Sequence, residues 1–455
     1  MIIPLAHYKM FSHFSTSNKS QFLIGATSSG CGKTTLTIGL LRAIRKRGLQ
    51  VQPFKCGPDY LDPKHHAIAA GRNAINLDSF LASAGHIKSL YSYYGQQADV
   101  CVTEGVMGLF DGYKDMQGSS AEIAGILDQP VILIINARSS AYSVAPILYG
   151  FKHFQPHIRI VGAIFNFVSS PTHYDYLRQA CQDTGVEALG YLRKCQSIEI
   201  PSRHLGLSIG TEFCLDEFAE QVATEVEKTI DIQRLLEVTS QPFPQPAEES
   251  TEAISPASGL RISIAQDEAF NFIYAENIRS LKKLGQVTFF SPLQDTQLPP
   301  SDFVYLPGGY PEFYLQRLSA NQEMRQSLLA YCQSGGHLLA ECGGMMYLGE
   351  FIADAEGKKY PMCQYLPQAA TMENMKLKLG YRKVICNGQE WRGHEFHYSR
   401  IVAGSVPSLP RTQVYNAQGT KVDTPIYNLN RTIASYIHFY WGEKTDFISM
   451  ITGRT

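Results

Sequence analysis

Hydrophobic residues along the chain fall into short continuous runs separated by longer amphipathic segments. In the first part of the chain the runs are FLIGA, VQPFK, DVCVTEG, PVILIINA and IVGAIFNF. In the last part they are LRISIAQD, QVTFFSP, DFVYLPGG and GHLLAE. Such runs are typical of strands buried on both faces of a parallel sheet. Amphipathic segments such as TTLTIGLLRAIRKRG and NFIYAENIRSLKKLG predict helices between them.

This order of elements predicts an α/β protein with two domains. Strands that alternate with helices form parallel sheets with helices on both faces. The segment QPFPQPAEESTEAISPASG is rich in Pro, Ser and Glu, which is typical of a linker. We therefore predict an N-terminal extension over 1–20, a first domain over 21–240, a linker over 241–259 and a second domain over 260–455. Each domain is expected to be a doubly wound parallel sheet.

Composition excludes several classes of partner. The 455 residues include 40 Lys and Arg against 41 Asp and Glu, so there is no overall basic field to attract nucleic acid. The apolar runs are too short to span a bilayer, so we expect no membrane partner. The ten cysteines include no C-x-x-C pair, which disfavours a zinc or iron–sulfur site. The first residues do not resemble a secretion signal, and we expect a cytoplasmic protein with reduced thiols.

The segment GATSSGCGKTT stands between a predicted strand and a predicted helix. A glycine-rich loop in that place points backbone N–H groups at phosphate, while a Lys reaches the outer phosphates and a hydroxyl holds Mg²⁺. The residues that we assign to ATP binding are Thr27, Gly30, Gly32, Lys33 and Thr34. Thr27 stands where the usual form of this motif has a glycine.

Acidic residues follow two of the predicted strands. Glu104 closes the strand in DVCVTEG, and Asp59 comes just after VQPFK. Open α/β sheets bind ligands at these strand ends, and Mg²⁺ prefers carboxylates together with phosphate and water. We therefore predict a Mg²⁺ site made by Thr34, Asp59 and Glu104. Asp111, on the loop after Glu104, is a further candidate. A role as a helix cap or turn former stays open for these carboxylates.

A second chemical site is predicted in GGHLLAECGGMMYLGEF, which has the pattern of a strand, a sharp turn and a helix. Cys342 falls at the turn, where a nucleophile is exposed and the helix N-terminus is expected to favour its thiolate. The N–H groups of Gly343 and of Gly309, in LPGGYPE, are predicted to stabilise an oxyanion. His438 follows a strand-like run and is the predicted base. The cluster RGHEFHYS, 392–399, lacks the spacing of a metal motif, and structural and substrate-contacting roles both stay open for it.

Taken together, these motifs resemble the corrinoid amidotransferases. Members of that group join a dethiobiotin-synthetase-like P-loop domain to a class I glutamine amidotransferase domain of flavodoxin-like fold. PGGYPE, ECGGMMYL and a late His occur here in the expected order, and PFKCGPDYLDP, NLDSF, TEGVMGLFDG and GHEFHYS match the cobyrinate a,c-diamide synthase family. Other class I enzymes carry a Glu two residues after the catalytic His. Tyr440 stands at that position, so we predict only a dyad.

The resemblance implies an ATP- and glutamine-dependent ligase of cobalamin biosynthesis. Its implied partners are ATP with Mg²⁺, L-glutamine and cobyrinate, whose a and c acetates would be amidated through acyl phosphates; a homodimer is compatible with this. Tyr60, Leu61 and Asp111 match family segments implicated in substrate binding. Hydrogenobyrinate or nickel sirohydrochlorin could replace cobyrinate in the same chemistry. A partitioning-type ATPase is disfavoured, because Ser28 stands where such loops carry an extra Lys.

Overall fold

The computed structural model describes residues 18–193, 214–244, 259–444 and 446–452. Residues 1–17 of the predicted extension and 245–258 of the predicted linker lie outside the described part. Within the described part, no helix is both long and apolar enough to cross a bilayer.

The N-terminal domain contains one sheet with helices on both faces. Its strands are β1 (Asn18–Ala26), β2 (Val51–Cys56), β3 (Ile75–Leu77), β4 (Val100–Glu104), β5 (Val131–Asn136), β6 (Ile160–Val168), β7 (Glu187–Arg193) and β8 (Ser240–Pro242). Its helices are α1 (Lys33–Lys46), α2 (Asp62–Ala70), α3 (Ala84–Gly95), α4 (Ser120–Leu127), α5 (Val144–Phe154), α6 (Pro171–Thr184), α7 (Leu215–Thr229) and α8 (Ile232–Val238). The strand order β3-β2-β4-β1-β5-β6-β7 is parallel throughout, and β8 pairs antiparallel with β1.

The apolar run of β1 explains how this sheet is covered. Phe22 and Ile24 pack with α1, α7 and α8 on one face, whereas Leu23 packs with α3 to α6 on the other. The predicted doubly wound sheet is therefore confirmed. The domain boundaries differ from those predicted, because β1 already begins at Asn18 and β8 extends to Pro242. Both ends are drawn into the sheet by the pairing of these two strands.

The C-terminal domain contains more strands than we predicted. Its strands are β9 (Leu260–Ala265), β10 (Gly285–Phe290), β11 (Phe303–Leu306), β12 (His337–Glu341), β13 (Phe351–Ala353), β14 (Lys359–Pro361), β15 (Gln368–Thr371), β16 (Lys378–Cys386), β17 (Gln389–His397), β18 (Arg400–Gly404), β19 (Thr412–Tyr415), β20 (Ile426–Leu429), β21 (Thr432–Ser435) and β22 (Ile437–Tyr440). Its helices are α9 (Ala275–Leu284), α10 (Leu315–Ala320), α11 (Gln322–Gln333), α12 (Gly343–Leu348) and α13 (Asp446–Thr452), with a 3₁₀ helix over Pro311–Phe313.

The central sheet of this domain has the order β10-β9-β11-β12-β21-β20 and is parallel except for the edge strand β20. Helices α10, α11 and α12 cover one face. On the other face, α9 and α13 are joined by an antiparallel sheet of order β19-β16-β17-β22. A further mixed sheet has the order β14-β13-β15-β18. The prediction of a parallel core is confirmed, but the doubly wound description omits these two added sheets.

The two domains meet through aromatic side chains. Tyr60, Phe80 and Leu81 of the first domain pack against Phe272, Tyr274 and Tyr310 of the second. Polar contacts cross the same interface. Lys64 Nζ lies 2.6 Å from Asn271 Oδ1, and the Tyr381 hydroxyl donates to Asp78 Oδ2 over 2.7 Å. The interface thus brings the loop after β2 next to β22.

Candidate active site

The glycine-rich loop adopts the geometry that a phosphate site needs. Gly32 has a φ of 84° and leads directly into α1, which begins at Lys33. A Cβ atom on Gly32 would lie 2.1 Å from Asn166 Nδ2, so only glycine fits here. Lys33 Nζ donates to the Met107 carbonyl over 2.5 Å, which places the ammonium group against the loop after β4. Burial lowers the pKa of Lys33.

Glu104 is the buried centre of this site. Its Oε1 accepts hydrogen bonds from Thr34 Oγ1 at 2.9 Å and from Lys55 Nζ at 2.8 Å. Its Oε2 lies 2.6 Å from His66 Nε2. Burial opposes ionisation, but the charge of Lys55 and the contact with His66 hold the pKa of Glu104 well below its usual range. Thr34 and Glu104, two of the three predicted Mg²⁺ ligands, are therefore in direct contact.

Asp59 has contacts different from those predicted for a Mg²⁺ ligand. Its Oδ1 accepts the backbone N–H groups of Leu61 and Asp62, at 2.8 and 3.1 Å, which is the bonding of an Asp in a turn just before α2. Asp62 lies closer to the loop, with Oδ2 2.7 Å from Lys55 Nζ and 3.4 Å from Thr34 Oγ1. Burial, together with the nearby charge of Asp62, raises the pKa of Asp59 to about 7. Sequence reasoning missed Asp62, and Lys55 as well.

The oxygen atoms of Thr34, Asp62 and Glu104 fit the chemistry of a Mg²⁺ site, since this ion prefers carboxylate and hydroxyl oxygens. In the described ranges, no three His, Cys, Asp or Glu side chains converge as a metal cluster. Nucleotide phosphates would therefore have to complete the coordination. Asp111 instead holds the loop after β4, because its Oδ2 accepts the Gly108 N–H at 2.9 Å.

Cys342 lies on a strained turn between β12 and α12, as the nucleophile prediction requires. Its φ is 46° and its ψ is −105°, which is rare for a residue with a side chain. A Cβ atom on Gly344 would lie 2.2 Å from the Leu306 carbonyl oxygen, so the turn packs tightly on β11. The two predicted oxyanion residues are neighbours, because a Cβ atom on Gly343 would lie 3.3 Å from the Gly309 nitrogen.

The surroundings of the Cys342 thiol favour its neutral form. Cys342 is buried, and its Sγ is 3.7 Å from the Phe396 carbonyl oxygen. Burial, reinforced by the charge of Glu312, raises the pKa of Cys342 well above its usual range, although the Gly343 N–H acts in the opposite direction. The start of α12 thus acts in the direction that we expected, but its effect on the thiol pKa is smaller than that of burial. Desolvation raises the pKa of the thiol by more than the N-terminus of α12, a helix of six residues, lowers it.

His438 lies on β22, completely buried, and neither ring nitrogen has a hydrogen-bond partner among the residues that the structure describes. Burial lowers its pKa to about 3, which favours the neutral imidazole. The ring packs against the loop that carries Gly309, since a Cβ atom on Gly308 would lie 2.1 Å from His438 Cε1. The Cys342 N–H donates to the Ser435 carbonyl over 2.7 Å, which brings the thiol and the imidazole to the same sheet edge. No hydrogen bond joins them.

The carboxyl group of Glu341 lies close to this imidazole, with Oε2 4.0 Å from His438 Nδ1. Oε2 accepts a hydrogen bond from the Tyr305 hydroxyl at 2.6 Å, and Oε1 accepts the Phe439 N–H at 2.9 Å. Burial raises the pKa of Glu341 to about 8, so this group is protonated at neutral pH. Sequence reasoning missed it, because it looked for a carboxylate after the histidine rather than before the cysteine.

Both domains match known protein families. Residues 22–207 match the family described as CobQ/CobB/MinD/ParA nucleotide binding domain, and residues 261–446 match the CobB/CobQ-like glutamine amidotransferase domain. A cobyrinate a,c-diamide synthase of Salmonella typhimurium is 36% identical over 94% of this chain and 96% of its own length. A hydrogenobyrinate a,c-diamide synthase of Brucella suis is 40% identical over 84% of this chain and 89% of its own.

The chain belongs to the cobyrinate a,c-diamide synthase family. The predicted resemblance and the predicted class, a glutamine-dependent amidating ligase, are thereby confirmed. The roles given to individual residues stay predictions.

In this synthase the RGHEFHYS segment forms part of β17 and faces the thiol pocket. Glu395 is completely buried and is bound by Arg382, Lys378 and His397, at 2.6, 3.1 and 2.9 Å. Burial opposes its ionisation, but the bond from His397 and these cations hold the pKa of Glu395 to about 2. The His397 ring stacks on Tyr436 with centroids 3.6 Å apart. His397 also lines the pocket that contains Cys342.

Tyr60 and Leu61, the predicted substrate residues, lie between the two sites of the synthase. Tyr60 is buried, stacks on Phe272 with centroids 4.9 Å apart and lies 5.3 Å from the His438 ring. Leu61 is the N-cap residue of α2. The loop that begins at the phosphate site therefore ends in contact with the predicted glutaminase base.

Proposed function

We propose that this protein amidates the a and c acetate carboxylates of cobyrinate, using ATP and glutamine, as a cytoplasmic enzyme of cobalamin biosynthesis. The observation that carries the proposal is the presence of a phosphate loop and a strained cysteine turn in two domains that are in contact. A carboxylate is a poor acceptor for an amine, and phosphorylation gives it a good leaving group. Free ammonia is largely protonated at neutral pH, so its release inside the protein supplies the reactive base.

In the C-terminal domain, Cys342 Sγ attacks the amide carbon of glutamine and its proton passes to His438. The N–H groups of Gly309 and Gly343 stabilise the oxyanion. Collapse of this intermediate transfers the proton to the leaving nitrogen, releases ammonia and leaves a thioester. Water then hydrolyses the thioester to glutamate and the free thiol.

In the N-terminal domain, Lys33 and the N–H groups of the glycine loop hold the phosphates of ATP. Thr34, Glu104 and Asp62 would hold Mg²⁺, which neutralises phosphate charge during transfer. A carboxylate oxygen of the substrate attacks the γ-phosphorus, and ADP leaves. Ammonia then attacks the acyl carbon and phosphate leaves, so each amide consumes one ATP and one glutamine. Tyr60, Leu61 and Asp111 are assigned to the substrate side of this site.

Two tests address the proposal separately. Mass spectrometry of tetrapyrrole products, after incubation with ATP, Mg²⁺ and glutamine, should show stepwise conversion of carboxylate to amide on cobyrinate. Cys342→Ala should then abolish amidation with glutamine and keep amidation with added ammonia. Loss of both activities in this variant would contradict the separation of the two sites. Absence of any amide with every macrocycle tested would contradict the ligase assignment.

Hydrogenobyrinate is a second candidate substrate, because the relative at 40% identity is named for it. The same incubation should include hydrogenobyrinate and nickel sirohydrochlorin in parallel. If only one of these two macrocycles is amidated, the proposed mechanism stands and the substrate assignment changes to that macrocycle.

A further inference from the structure

The pocket at the Cys342 thiol is too small for a whole amino acid. Its volume is about 10 Å³, enough for about one water-sized group. A cavity of about 540 Å³ adjoins it, and His397, Tyr398 and Ser399 line both. When the amide carbon of glutamine lies at Sγ, the amino-acid end must therefore extend towards the larger cavity.

The larger cavity has a basic wall, which we define as Lys376, Lys378 and Arg400. Lys378 Nζ and Arg382 Nε bind the two oxygens of Glu395, at 3.1 and 2.6 Å. Two cations share one carboxylate, so their positive charge is not fully neutralised. Lys376 and Arg400 are exposed and form no ion pair with any residue that the structure describes. This wall is therefore suited to an anionic group.

The thiol pocket carries one carboxylate of its own. Glu312 follows the oxyanion loop in the 3₁₀ helix and lines the pocket together with Cys342. Its carboxylate forms no ion pair with any residue in the described part of the chain, and its hydrogen bond comes from its own backbone N–H. Burial raises the pKa of Glu312 to about 7, as expected for a carboxylate without a nearby cation. Its charge also raises the pKa of the Cys342 thiol.

We propose that Glu312 and the basic wall form a clamp for the amino-acid end of glutamine. Glu312 binds the α-ammonium group, and Lys378 with its neighbours binds the α-carboxylate. This assignment rests on the proposed glutamine-dependent function and names the residues that select glutamine among primary amides. It also links recognition to chemistry, because an ammonium group beside Glu312 offsets the charge that disfavours the Cys342 thiolate.

The test compares three amides in the full-length protein. Glutamine carries both charged groups, 4-carbamoylbutanoate lacks the α-amino group, and 4-aminobutanamide lacks the α-carboxylate. Ammonia release from each is measured as kcat/KM for the wild type, Glu312→Gln and Lys378→Met. Glu356→Gln, at an exposed residue of the same domain, is the matched control. Amidation with added ammonia is measured in parallel, because it does not use the glutamine site and reports whether the fold is intact.

A hydrogen bond to a charged group contributes about 1.5–3 kcal/mol, which corresponds to roughly 10- to 150-fold in kcat/KM. We expect Glu312→Gln to lose this factor with glutamine and to stay within about twofold of wild type with 4-carbamoylbutanoate. Lys378→Met should lose the same factor with glutamine and stay within about twofold of wild type with 4-aminobutanamide, which lacks the α-carboxylate. Glu356→Gln should match wild type with all three amides.

Equal losses with glutamine and with the analogues would assign Glu312 and Lys378 a structural role and overturn the clamp. Unchanged preference for glutamine in both variants would overturn it as well. A wild-type protein that amidates with ammonia but releases none from glutamine would refute the proposed glutamine-dependent function, and the clamp with it. The wild-type measurement therefore separates failure of the function from failure of the clamp alone.

Discussion

Replacing Lys55 by Met should destabilise the N-terminal domain through Glu104. Lys55 and Glu104 are both buried, and Nζ lies 2.8 Å from Oε1. Removing one partner of a buried ion pair costs about 3–5 kcal/mol, because the other charge is left without compensation. Thr34 and His66 still bind Glu104 in the variant. We therefore expect the free energy of unfolding to fall by an amount near the lower end of this range, about 3 kcal/mol.

The loss of stability in Lys55→Met should depend on pH. The pKa of Glu104 is held well below its ordinary value in the folded protein, so its stabilising contribution is present above the unfolded pKa and is lost as pH falls through the folded pKa. Lys55→Met raises the folded pKa of Glu104. The difference in stability between variant and wild type should therefore be larger at pH 7 than at pH 4.

Urea unfolding and native-state hydrogen exchange of amides in β2 and β4 measure this loss. Hydrogen exchange is needed because a protein with two domains need not unfold in one step. Glu104→Gln added to Lys55→Met should recover part of the loss, since the Glu104 charge is then removed while Asp62, 2.7 Å from Lys55 Nζ in the wild type, still lacks its partner. Lys46→Met is the matched control, because Lys46 pairs with Glu220 on the surface at 3.0 Å and should change stability by about 1 kcal/mol or less. Equal losses for Lys55→Met and Lys46→Met, or no recovery in the double variant, would refute the reasoning.

Three further predictions concern the second site. Gly308→Ala places a Cβ atom 2.1 Å from His438 Cε1, so glutamine-dependent amidation should fall about 100-fold. The control is Gly150→Ala, where a Cβ atom meets open space; it should change neither glutamine-dependent nor ammonia-dependent amidation. Tyr60→Ala removes the ring that lies beside His438 and should lower the amount of amide formed per glutamine hydrolysed. The ratio of amide to glutamate measures this, and an unchanged ratio would contradict the prediction. Glu341 has a pKa raised to about 8, so its contribution to stability should be lost as pH rises from about 4.5 to 8. Glu341→Gln should flatten that part of the stability profile, measured by urea unfolding.

Much of the fold could be predicted because burial on both faces leaves a direct mark on the sequence. Phe22, Leu23 and Ile24 are all apolar because alternate residues meet different helix layers. The antiparallel sheet was missed although its hairpin carries a turn signal. Asn387 and Gly388 join β16 to β17 with φ values of 50° and 83°, the conformation that favours Asn-Gly in tight hairpins. The polar residues of β16 and β17 had concealed this pairing, since only one face of that sheet is buried.

Site residues in local sequence motifs could be predicted, whereas those brought together by the tertiary fold could not. Cys342, its glycines and the phosphate loop are local motifs, so their positions could be predicted from strand and turn patterns. Lys55 and His66 were missed because only the parallel register of β2 with β4 and the packing of α2 bring them to Glu104. Asp59 and Asp62 were confused for a different reason. They stand three residues apart, and only the start of α2 at Asp62 decides which one holds the turn before the helix and which one faces the phosphate loop.

Burial acts on both sites, yet it leaves them in opposite charge states. Glu104 is buried with two basic side chains within 2.8 Å, and these offset desolvation, so the phosphate site is ionised before any ligand arrives. Cys342 and His438 are buried without such partners, and desolvation keeps both neutral. A site that must bind a highly charged nucleotide gains from charges that are already in place. A nucleophile that would hydrolyse glutamine whenever it was a thiolate gains from staying neutral until the substrate supplies the missing charge.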